Sequence, residues 1–340
     1  MKDMKKIFVT GATGLLGSVI CRKLIKDGHQ ITAIKRATSK LDLLGDLAAK
    51  INWIEGDVRD IASLDEGMKT SDYLIHCAAM ISFVPEDAEA MMKINVEGTA
   101  NVMNSALANN MKRVLHVSSV AAFGRPKGVS LIDEELDIKD SKDNFNYYRS
   151  KFLGEREALR AHAEGLNLAI INPSTILGGG YWDMEPNKLF AQIHNGYYFY
   201  TNGSNGFVDV RDVADIAIKV LFSDVSGEKF IVSAENISFK DLIWKIADEF
   251  KVKRPFLAAN KYLGGFAWRL DTIKANLTGQ RPLVTKEVIS IALCEYKYNN
   301  EKVKKHFNFE FRKVDDTIKD VCELYKESRR IHQHFAIIEI

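Results

Sequence analysis

The stretch Lys6-Ile-Phe-Val-Thr-Gly11-Ala-Thr-Gly14-Leu-Leu-Gly17 decides the fold of this 340-residue chain. Its first half is a short apolar run rich in β-branched residues, which predicts a buried strand. The glycines follow at every third position, and the apolar pattern then becomes helical, with Leu15, Val19 and Leu24 on one face and Gly28 at the end. We therefore predict a strand, a tight turn and a helix in immediate succession.

The same rhythm continues through the first half of the chain, where further apolar runs alternate with helix-period segments. These runs are QITAIKR (30–36), INWIEGD (51–57), YLIHCAA (73–79), KRVLHVSS (112–119) and NLAIINPS (167–174). Their nearly continuous apolar character is typical of parallel strands that are covered by helices on both faces. We predict an α/β fold with a doubly wound parallel sheet of the Rossmann type.

The rhythm changes near residue 181, which predicts a division into a dinucleotide-binding domain (1–180) and a smaller substrate lobe (181–340). Residues 207–235 resemble a helix and a strand that return to the main domain, so we expect the lobe to be interleaved with it. Within the lobe, SFKDLIWKIADEF (238–250) and 315–330 are predicted helices, and YYFY (197–200) is a predicted edge strand.

The composition excludes several classes of protein. The 47 Lys and Arg residues nearly balance the 45 Asp and Glu residues, and no long basic block is present, so a dedicated nucleic-acid binder is not expected. No run of about 18 apolar residues predicts a membrane span, and the amino terminus has no apolar signal core. The four cysteines are scattered, which favours free thiols, no metal site and a cytoplasmic location.

The glycine turn predicts a dinucleotide site. In this context the first glycine permits a tight turn, the second lets backbone approach a pyrophosphate, and the third allows close packing of helix on strand. The helix amino terminus adds unpaired N–H donors and a positive dipole end. The candidate cofactor-binding residues of the turn are Gly11, Thr13, Gly14, Leu15, Leu16 and Gly17.

The spacing GxxGxxG within TGATGLLG (10–17) resembles that of extended short-chain dehydrogenases/reductases, the NAD-dependent epimerase/dehydratase superfamily. The similarity extends over roughly the whole chain and is specific up to about Asp212. The segment INPSTILGGG (171–180) departs from the pattern of sugar-nucleotide epimerases. The chain is therefore most similar to the branch of dihydroflavonol reductases and 3β-hydroxysteroid dehydrogenases.

The end of the second strand bears on the choice of cofactor. The resemblance implies an acidic residue here for the ribose hydroxyls of NAD, but this chain has Ile34-Lys35-Arg36. A guanidinium at Arg36 can pair with a 2′-phosphate, so we predict NADP. The alternatives are a merely solvated Arg36 with NAD as cofactor, and a contribution from Lys40.

The resemblance also implies contacts further along the cofactor. Asp57 and Val58 would recognise the adenine edge, and an Asp here could also cap the next helix, a role compatible with the first. The other implied contacts are Ala78, Ala79, Pro173, Thr175 and Ile176, together with Tyr147 and Lys151. His76 is interpreted as a core histidine and Asn95 as a structural residue.

The catalytic prediction rests on Tyr147 and Lys151, which form YxxxK and project from one face of a helix. Ser119 closes the fifth strand about thirty residues earlier, as the family pattern requires, whereas Tyr148 lies about 100° around the helix. A phenol with a reference pKa of about 10 needs a nearby positive charge to exchange protons near neutral pH. We assign proton donation to Tyr147, carbonyl orientation to Ser119, and ribose binding with electrostatic tuning to Lys151.

The candidate substrate pocket is mostly apolar, which favours a hydrophobic ketone or aldehyde. Its candidate residues, for which core packing is an equal alternative, are Met80, Ile81, Phe83, Phe123, Tyr181 and Trp182. Gly178-Gly179-Gly180 is expected to give a flexible start to a substrate loop.

The sequence therefore predicts an NADP-dependent reductase of a small carbonyl compound. A nucleotide-sugar epimerase or dehydratase with bound NAD is the alternative, in which Arg211 or Arg281 would bind phosphate, and a non-catalytic redox sensor is a third. The resemblance further implies a homodimer, formed through the helix that begins near Met91 and the helix of Tyr147.

Overall fold

A computed structural model of the chain describes residues 3–124, 128–129, 131–136, 145–260, 268–269 and 285–340. Arg281, one of the two candidate phosphate ligands, lies outside these residues. Within the described part, no helix combines the length and the apolar character needed to cross a bilayer.

The centre of the molecule is a parallel sheet of seven strands. The six predicted strands are β1 (Lys6–Thr10), β2 (Gln30–Lys35), β3 (Asn52–Glu55), β4 (Tyr73–His76), β5 (Arg113–Val117) and β6 (Leu168–Pro173), and the seventh is β10 (Lys229–Val232). Their spatial order is β10-β6-β5-β4-β1-β2-β3. The strand order reverses between β1 and β4, so a crevice opens there at the carboxyl ends of the strands.

Helices cover both faces of this sheet, which confirms the predicted doubly wound fold. The helices are α1 (Leu15–Lys26), α2 (Ile61–Lys69), α3 (Ala88–Met92), α4 (Gly98–Ala108), α5 (Asn146–Ala163), α6 (Asn187–His194), α7 (Val210–Leu221), α8 (Phe239–Phe250), α9 (Lys286–Leu293), α10 (Glu301–Phe307) and α11 (Val314–Arg330). Helices α1 and α7 pack on one face of the sheet, and α2, α4 and α5 pack on the other. One π-helical turn, Lys93–Glu97, joins α3 to α4.

The second half of the chain builds a smaller layer beside the sheet. Strands β7 (Thr175–Leu177), β9 (Ser204–Asp209) and β11 (Glu235–Ser238) form a three-stranded sheet, and β8 (Phe199–Tyr200) pairs with β12 (Leu257–Ala258). Helices α6, α8 and α11 surround an apolar core of their own beside these strands. The predicted capping box begins α8, where the Ser238 hydroxyl accepts the Asp241 N–H.

The chain returns to the main sheet in its second half. Helix α7 packs against α1, and β10 pairs with β6, whereas β9 belongs to the smaller sheet. The division of the chain at residue 180 remains a prediction.

The carboxyl-terminal segment 334–340 ties the two parts together. The Ala336 N–H donates to the Gly180 carbonyl at 3.1 Å, and the Arg22 guanidinium donates to the Ile338 carbonyl at 2.8 Å. The side chain of Ile338 is buried in the core between α1 and the main sheet. The segment therefore holds the glycines that follow β7 against the helix of the glycine turn.

Candidate active site

The glycine turn folds back tightly on itself at the carboxyl end of β1. Gly11 has a φ of +74°, and a β-carbon there would lie 2.7 Å from the Ala78 nitrogen. A β-carbon on Gly17 would lie 2.1 Å from the Gly11 carbonyl oxygen. These two positions therefore admit only glycine, because any side chain would collide with backbone.

The amino terminus of α1 is free to bind an anion. Gly14 precedes the helix and supplies no side chain to cap it, and no acidic residue occupies the first turn. The orphan N–H groups of that turn and the positive end of the helix dipole lie beside the glycine cradle. Leu15 is partly exposed there, while Leu16 is buried. This geometry fits the pyrophosphate of a dinucleotide.

Basic side chains surround the end of β2. Arg36 is exposed where this strand ends, and its positive charge acts on the Asp57 carboxylate. The Arg59 Nε donates to the Asp57 Oδ1 at 2.9 Å. Partial burial favours the neutral carboxyl, but the hydrogen bonds and charge of Arg59, with the charge of Arg36, hold the pKa of Asp57 below its usual value. An anionic group here would meet a guanidinium rather than a carboxylate at the strand end.

Helix α2 is capped by Asp60, since its carboxylate accepts the Ala62 N–H at 3.1 Å. The predicted role of Asp57 as a helix cap is therefore wrong. Asp57 lies three residues before the capping residue Asp60, and its carboxylate is bonded to Arg59. The candidate residue Val58 is buried beneath α4, where a β-carbon on Gly98 would lie 2.6 Å from its side chain.

The structure brings Ser119 and Tyr147 together at the carboxyl end of β5. The Ser119 hydroxyl acts on the Tyr147 phenol, so the two side chains lie near each other. The Ser119 oxygen also accepts the Ala121 N–H at 3.1 Å, so the hydroxyl hydrogen is available to the phenol oxygen. Burial raises the pKa of Tyr147, and the Ser119 hydroxyl partly opposes this effect. The neighbouring Tyr148 is buried, as expected for a residue that faces away from the site.

Lys151 lies one turn beyond Tyr147 and is only 6% exposed. Its ammonium approaches the Val117 carbonyl at 3.5 Å, which places it under the same end of β5. Burial lowers the pKa of Lys151 to about 8, against the opposing influence of Glu155 and Cys77. The three predicted catalytic residues are thus grouped around the end of β5.

The candidate contacts at the ends of the other strands lie along the same edge of the sheet. Ala79 is exposed after β4, and the Ala78 N–H donates to the Thr10 hydroxyl at 3.3 Å. Thr175 and Ile176 are partly exposed in β7, which begins two residues after the last residue of β6. Small or partly exposed groups therefore line the crevice from β1 towards β6.

Pro173, a further candidate contact and the last residue of β6, is buried. Thr13, in the glycine turn, is partly exposed.

His76 is a neutral core histidine, as the sequence indicates. The Thr99 hydroxyl donates to the Asn95 carbonyl and therefore accepts from His76 Nε2, at 3.0 Å. His76 Nδ1 then accepts from the Thr10 hydroxyl at 2.7 Å. Burial and the charge of Lys151 lower the pKa of His76 to about 3. A ring held in this way cannot act as a base for substrate.

Asn95 fixes the loop after β4 to helix α5. Its amide bonds both the N–H and the carbonyl of Met80, at 2.7 and 2.9 Å, and donates to the Ser150 hydroxyl at 3.0 Å. This loop then carries Phe83 to Tyr147, where the ring centroids lie 5.3 Å apart at 72°. Ile81 of the same loop is exposed. Phe83 is thus an apolar wall beside the phenol.

Several candidate pocket residues lie elsewhere. Phe123 is fully buried in a cluster with Ile231 and Tyr298. Trp182 packs edge-on against Tyr325 in the core of the smaller layer. For these two residues the alternative of core packing is correct, because their rings are covered by distant elements.

Tyr181 points towards the 3₁₀ segment Asp42–Lys50, where its hydroxyl donates to Asp42 at 3.0 Å. The Lys40 ammonium lies 5.4 Å from the centre of the Tyr181 ring.

The predicted flexible start at Gly178-Gly179-Gly180 is wrong. All of these glycines are buried, and β-carbons on them would lie 2.5 to 2.9 Å from Val210, Ala336 and Asn187 respectively. The segment is glycine-rich because it is packed between α7, α6 and the carboxyl-terminal segment.

Arg211 is also not a free phosphate ligand. Its guanidinium pairs with Asp209 and Asp320, each at 2.6 Å, and this pairing raises the Arg211 pKa. The sequence pattern missed this role because Asp320 lies on α11, 109 residues away.

Sequence reasoning also missed Glu155 and Asn172, which are buried near Ser119 and Lys151. Asn172 Nδ2 donates to the Glu155 carboxylate at 2.6 Å and to the Ser119 carbonyl at 3.1 Å. The spacing of Glu155, one turn after Lys151, was a signal for the same helix face.

Comparison with known proteins identifies the family of the chain. The profile of the NAD dependent epimerase/dehydratase family matches residues 7–233. The chain belongs to this family. It is an enzyme of the extended short-chain dehydrogenase/reductase superfamily, whose members use NAD(P), and the predicted resemblance is confirmed.

Its relatives include reductases. The chain is 29% identical to a Synechocystis protein whose name assigns it as a dihydroflavonol 4-reductase, over 94% of each chain. It is 27% identical to the anthocyanidin reductase of Arabidopsis thaliana, over 70% of this chain and 78% of the reductase. The fold matches the Bordetella bronchiseptica enzyme WbmG, solved with NAD and UDP, with a TM-score of 0.76 and 21% identity over 96% and 95% of the chains.

Proposed function

We propose that this enzyme is an NADP-dependent reductase of a small, largely hydrophobic ketone or aldehyde. The observation that carries the proposal is the grouping of the Ser119 and Tyr147 side chains with the Lys151 ammonium at the carboxyl end of β5. Bound NADPH would supply the hydride to the carbonyl carbon.

Tyr147 is suited to donate the proton to the carbonyl oxygen. Burial raises its pKa, so the phenol keeps its proton at neutral pH and can act as an acid. The Ser119 hydroxyl, next to the phenol, stabilises negative charge as it develops on the same oxygen.

Lys151, one helical turn beyond Tyr147, supplies the positive charge of the site. Its ammonium favours the phenolate that remains after proton transfer and is available to the ribose of the nicotinamide half. One unit of pKa change at Tyr147 corresponds to about 1.4 kcal/mol of differential stabilisation.

The preference for NADP is supported by Arg36. It is exposed at the end of β2, and the Asp57 carboxylate nearby is occupied by Arg59. A 2′-phosphate would gain a charge-assisted contact there, whereas the acidic partner expected for NAD is absent from the strand end.

The hydrophobic substrate is supported by Phe83 beside Tyr147 and by the reductase names of the relatives. The nucleotide-sugar alternative is weakened because Arg211 is bound by two carboxylates. The resemblance to WbmG concerns the fold alone.

The proposal is tested by following oxidation of NADPH and NADH with a panel of aromatic and alicyclic ketones and aldehydes. UDP- and dTDP-sugars in parallel assays test the alternative. Turnover of the hydrophobic carbonyls with NADPH is expected; turnover of the sugars alone would replace the proposal with the epimerase or dehydratase. Tight NADPH binding without any turnover would favour the sensor.

The homodimer through α3 to α5 is part of the same proposal, and light scattering coupled to size-exclusion chromatography tests it. An interface there would lie on the helix that carries Tyr147 and on the helices that position Asn95.

A further inference from the structure

A buried carboxylate lies behind the catalytic residues. Glu155 is 5% exposed on α5, one turn beyond Lys151. Its Oε2 accepts the Ser118 hydroxyl and the Asn172 amide, both at 2.6 Å, and its Oε1 lies 3.9 Å from the Lys229 ammonium. A carboxylate is costly to bury unless it is hydrogen-bonded and paired with charge, so these contacts explain how it is tolerated.

The contacts of Glu155 lead to each part of the site. Ser118 follows the last residue of β5 and precedes Ser119, and Asn172 lies on β6 and also donates to the Ser119 carbonyl. The Glu155 carboxylate therefore joins helix α5 to the end of β5 and to β6. The proposed proton donation does not use it, because its oxygens are turned towards these donors.

The surroundings of Lys151 leave few sources of negative charge. The groups that act on or contact it are Glu155 from α5, His76 and Cys77 from β4 and its end, and His116 and the Val117 carbonyl from β5. Tyr147 lies one turn before it on α5. Burial lowers the pKa of both histidines and raises that of the Cys77 thiol, so these three groups are neutral near pH 7. Lys229 on β10 adds a second cation, next to Glu155.

We propose that Glu155 is a positioning residue for the reaction, whose fixed negative charge keeps the buried Lys151 ammonium protonated beside Tyr147. This role rests on the proposed function, since it acts through Lys151. The Glu155 charge raises the Lys151 pKa against the effect of burial, and the balance leaves it at about 8. Removal of the charge therefore releases the Lys151 proton at a lower pH.

The test is Glu155→Gln, which keeps the shape and a carbonyl acceptor and removes only the charge. NADPH binding, followed by its fluorescence, and kcat/KM are measured against pH. In the wild type, NADPH binding and kcat/KM are both expected to fall at alkaline pH. In the variant the midpoint of this fall should lie about one pH unit lower, so that at a fixed pH above the transition both quantities are about tenfold smaller. Glu157→Gln is the matched control, because Glu157 lies on the same helix and pairs with Arg160 at 2.8 Å on the surface.

Glu155→Gln leaves the Lys229 ammonium without its partner, which can unfold the protein. The pair is therefore also compared in a Lys229→Met background, where no cation is left unpaired. The same downward shift is expected there. A purely structural role would lower the stability without moving the alkaline transition.

Two failures can be told apart. A wild type that does not bind NADPH overturns the proposed function. A wild type that binds NADPH, with an alkaline transition that is missing or that Glu155→Gln moves in neither background, overturns the role of Glu155 alone.

Discussion

The carbonyl oxygen of Gly11 lies so close to Gly17 that a β-carbon on Gly17 would stand 2.1 Å from it. The turn therefore leaves room only for a hydrogen atom on the α-carbon of Gly17. At Gly14, in contrast, φ is −81° and a β-carbon would lie 3.4 Å from the same oxygen, which is close to ordinary contact.

Gly17→Ala and Gly14→Ala should consequently separate folding from binding. We expect Gly17→Ala to lose about 1–3 kcal/mol or more of unfolding free energy, because backbone must move. Gly14→Ala should stay within about 1 kcal/mol of the wild type but bind NADPH at least about tenfold more weakly, since its methyl group covers the surface that a pyrophosphate approaches. Urea unfolding and NADPH titration measure the two effects. Equal stability losses would contradict the distinction.

Tyr147→Phe removes the proposed proton donor and keeps the ring that packs on Phe83. We expect kcat to fall by about 10²–10⁴, the usual contribution of a general acid, with NADPH affinity nearly unchanged. Steady-state kinetics and a binding titration check this. Tyr148→Phe serves as the control, and near-normal turnover in Tyr147→Phe would refute the proton role.

Arg36→Asp should reverse the cofactor preference. Loss of a charge-assisted contact worth about 1.5–3 kcal/mol weakens NADPH by roughly ten- to a hundredfold, while the new carboxylate can accept the ribose hydroxyls of NADH. The ratio of kcat/KM for the two cofactors is the measurement. Lys40→Ala is the comparison, because the Lys40 ammonium lies over the Tyr181 ring. A ratio that moves only in Lys40→Ala would assign the contact to that residue.

The rate of reduction should depend on pH through Lys151. Because burial depresses the pKa of this ammonium to about 8, its charge is present below that pH and is lost above it. Reduction should therefore decline as the pH rises through about 8, well before Tyr147 ionises, since the pKa of that phenol is raised. In Lys151→Arg the charge persists, so the residual activity should lack this decline. A profile that stays flat to pH 10 in the wild type would oppose the assignment.

Ile338→Ala tests the carboxyl-terminal segment. Its side chain is 2% exposed between α1 and the sheet, so truncation should lower the unfolding free energy by about 2–5 kcal/mol. Ile337→Ala, at a half-buried position next to it, should lose less. Thermal unfolding of both variants, with and without NADPH, is the measurement. Similar losses would show that the segment does not depend on Ile338.

Much of the fold could be predicted because its signals are local. The apolar runs of β1 to β6 alternate with helical periods, and the glycine turn and the YxxxK spacing are read within a few residues of Gly11 and Tyr147. Local periodicity fixes which face a side chain takes, so the pairing of Tyr147 with Lys151 could also be predicted.

The remaining features depend on partners that are distant in sequence. Arg211 is bound by Asp320 and Trp182 packs on Tyr325, and nothing in the sequence near Arg211 or Trp182 specifies these contacts. The sequence shows three consecutive glycines after β7, but it does not show that they are tightly packed against other elements. Glu155 lies between these cases, since its helix face follows from spacing but its bonds to two strands do not.

The segment 334–340 has one more consequence, for the order of events during synthesis. It is made after every element that it touches, from α1 to the glycines that follow β7. The contacts that join α1 to the glycines after β7 through this segment therefore form only after both layers have been synthesised. Until residue 338 has been synthesised, the apolar surface that Ile338 covers between α1 and the main sheet stays uncovered.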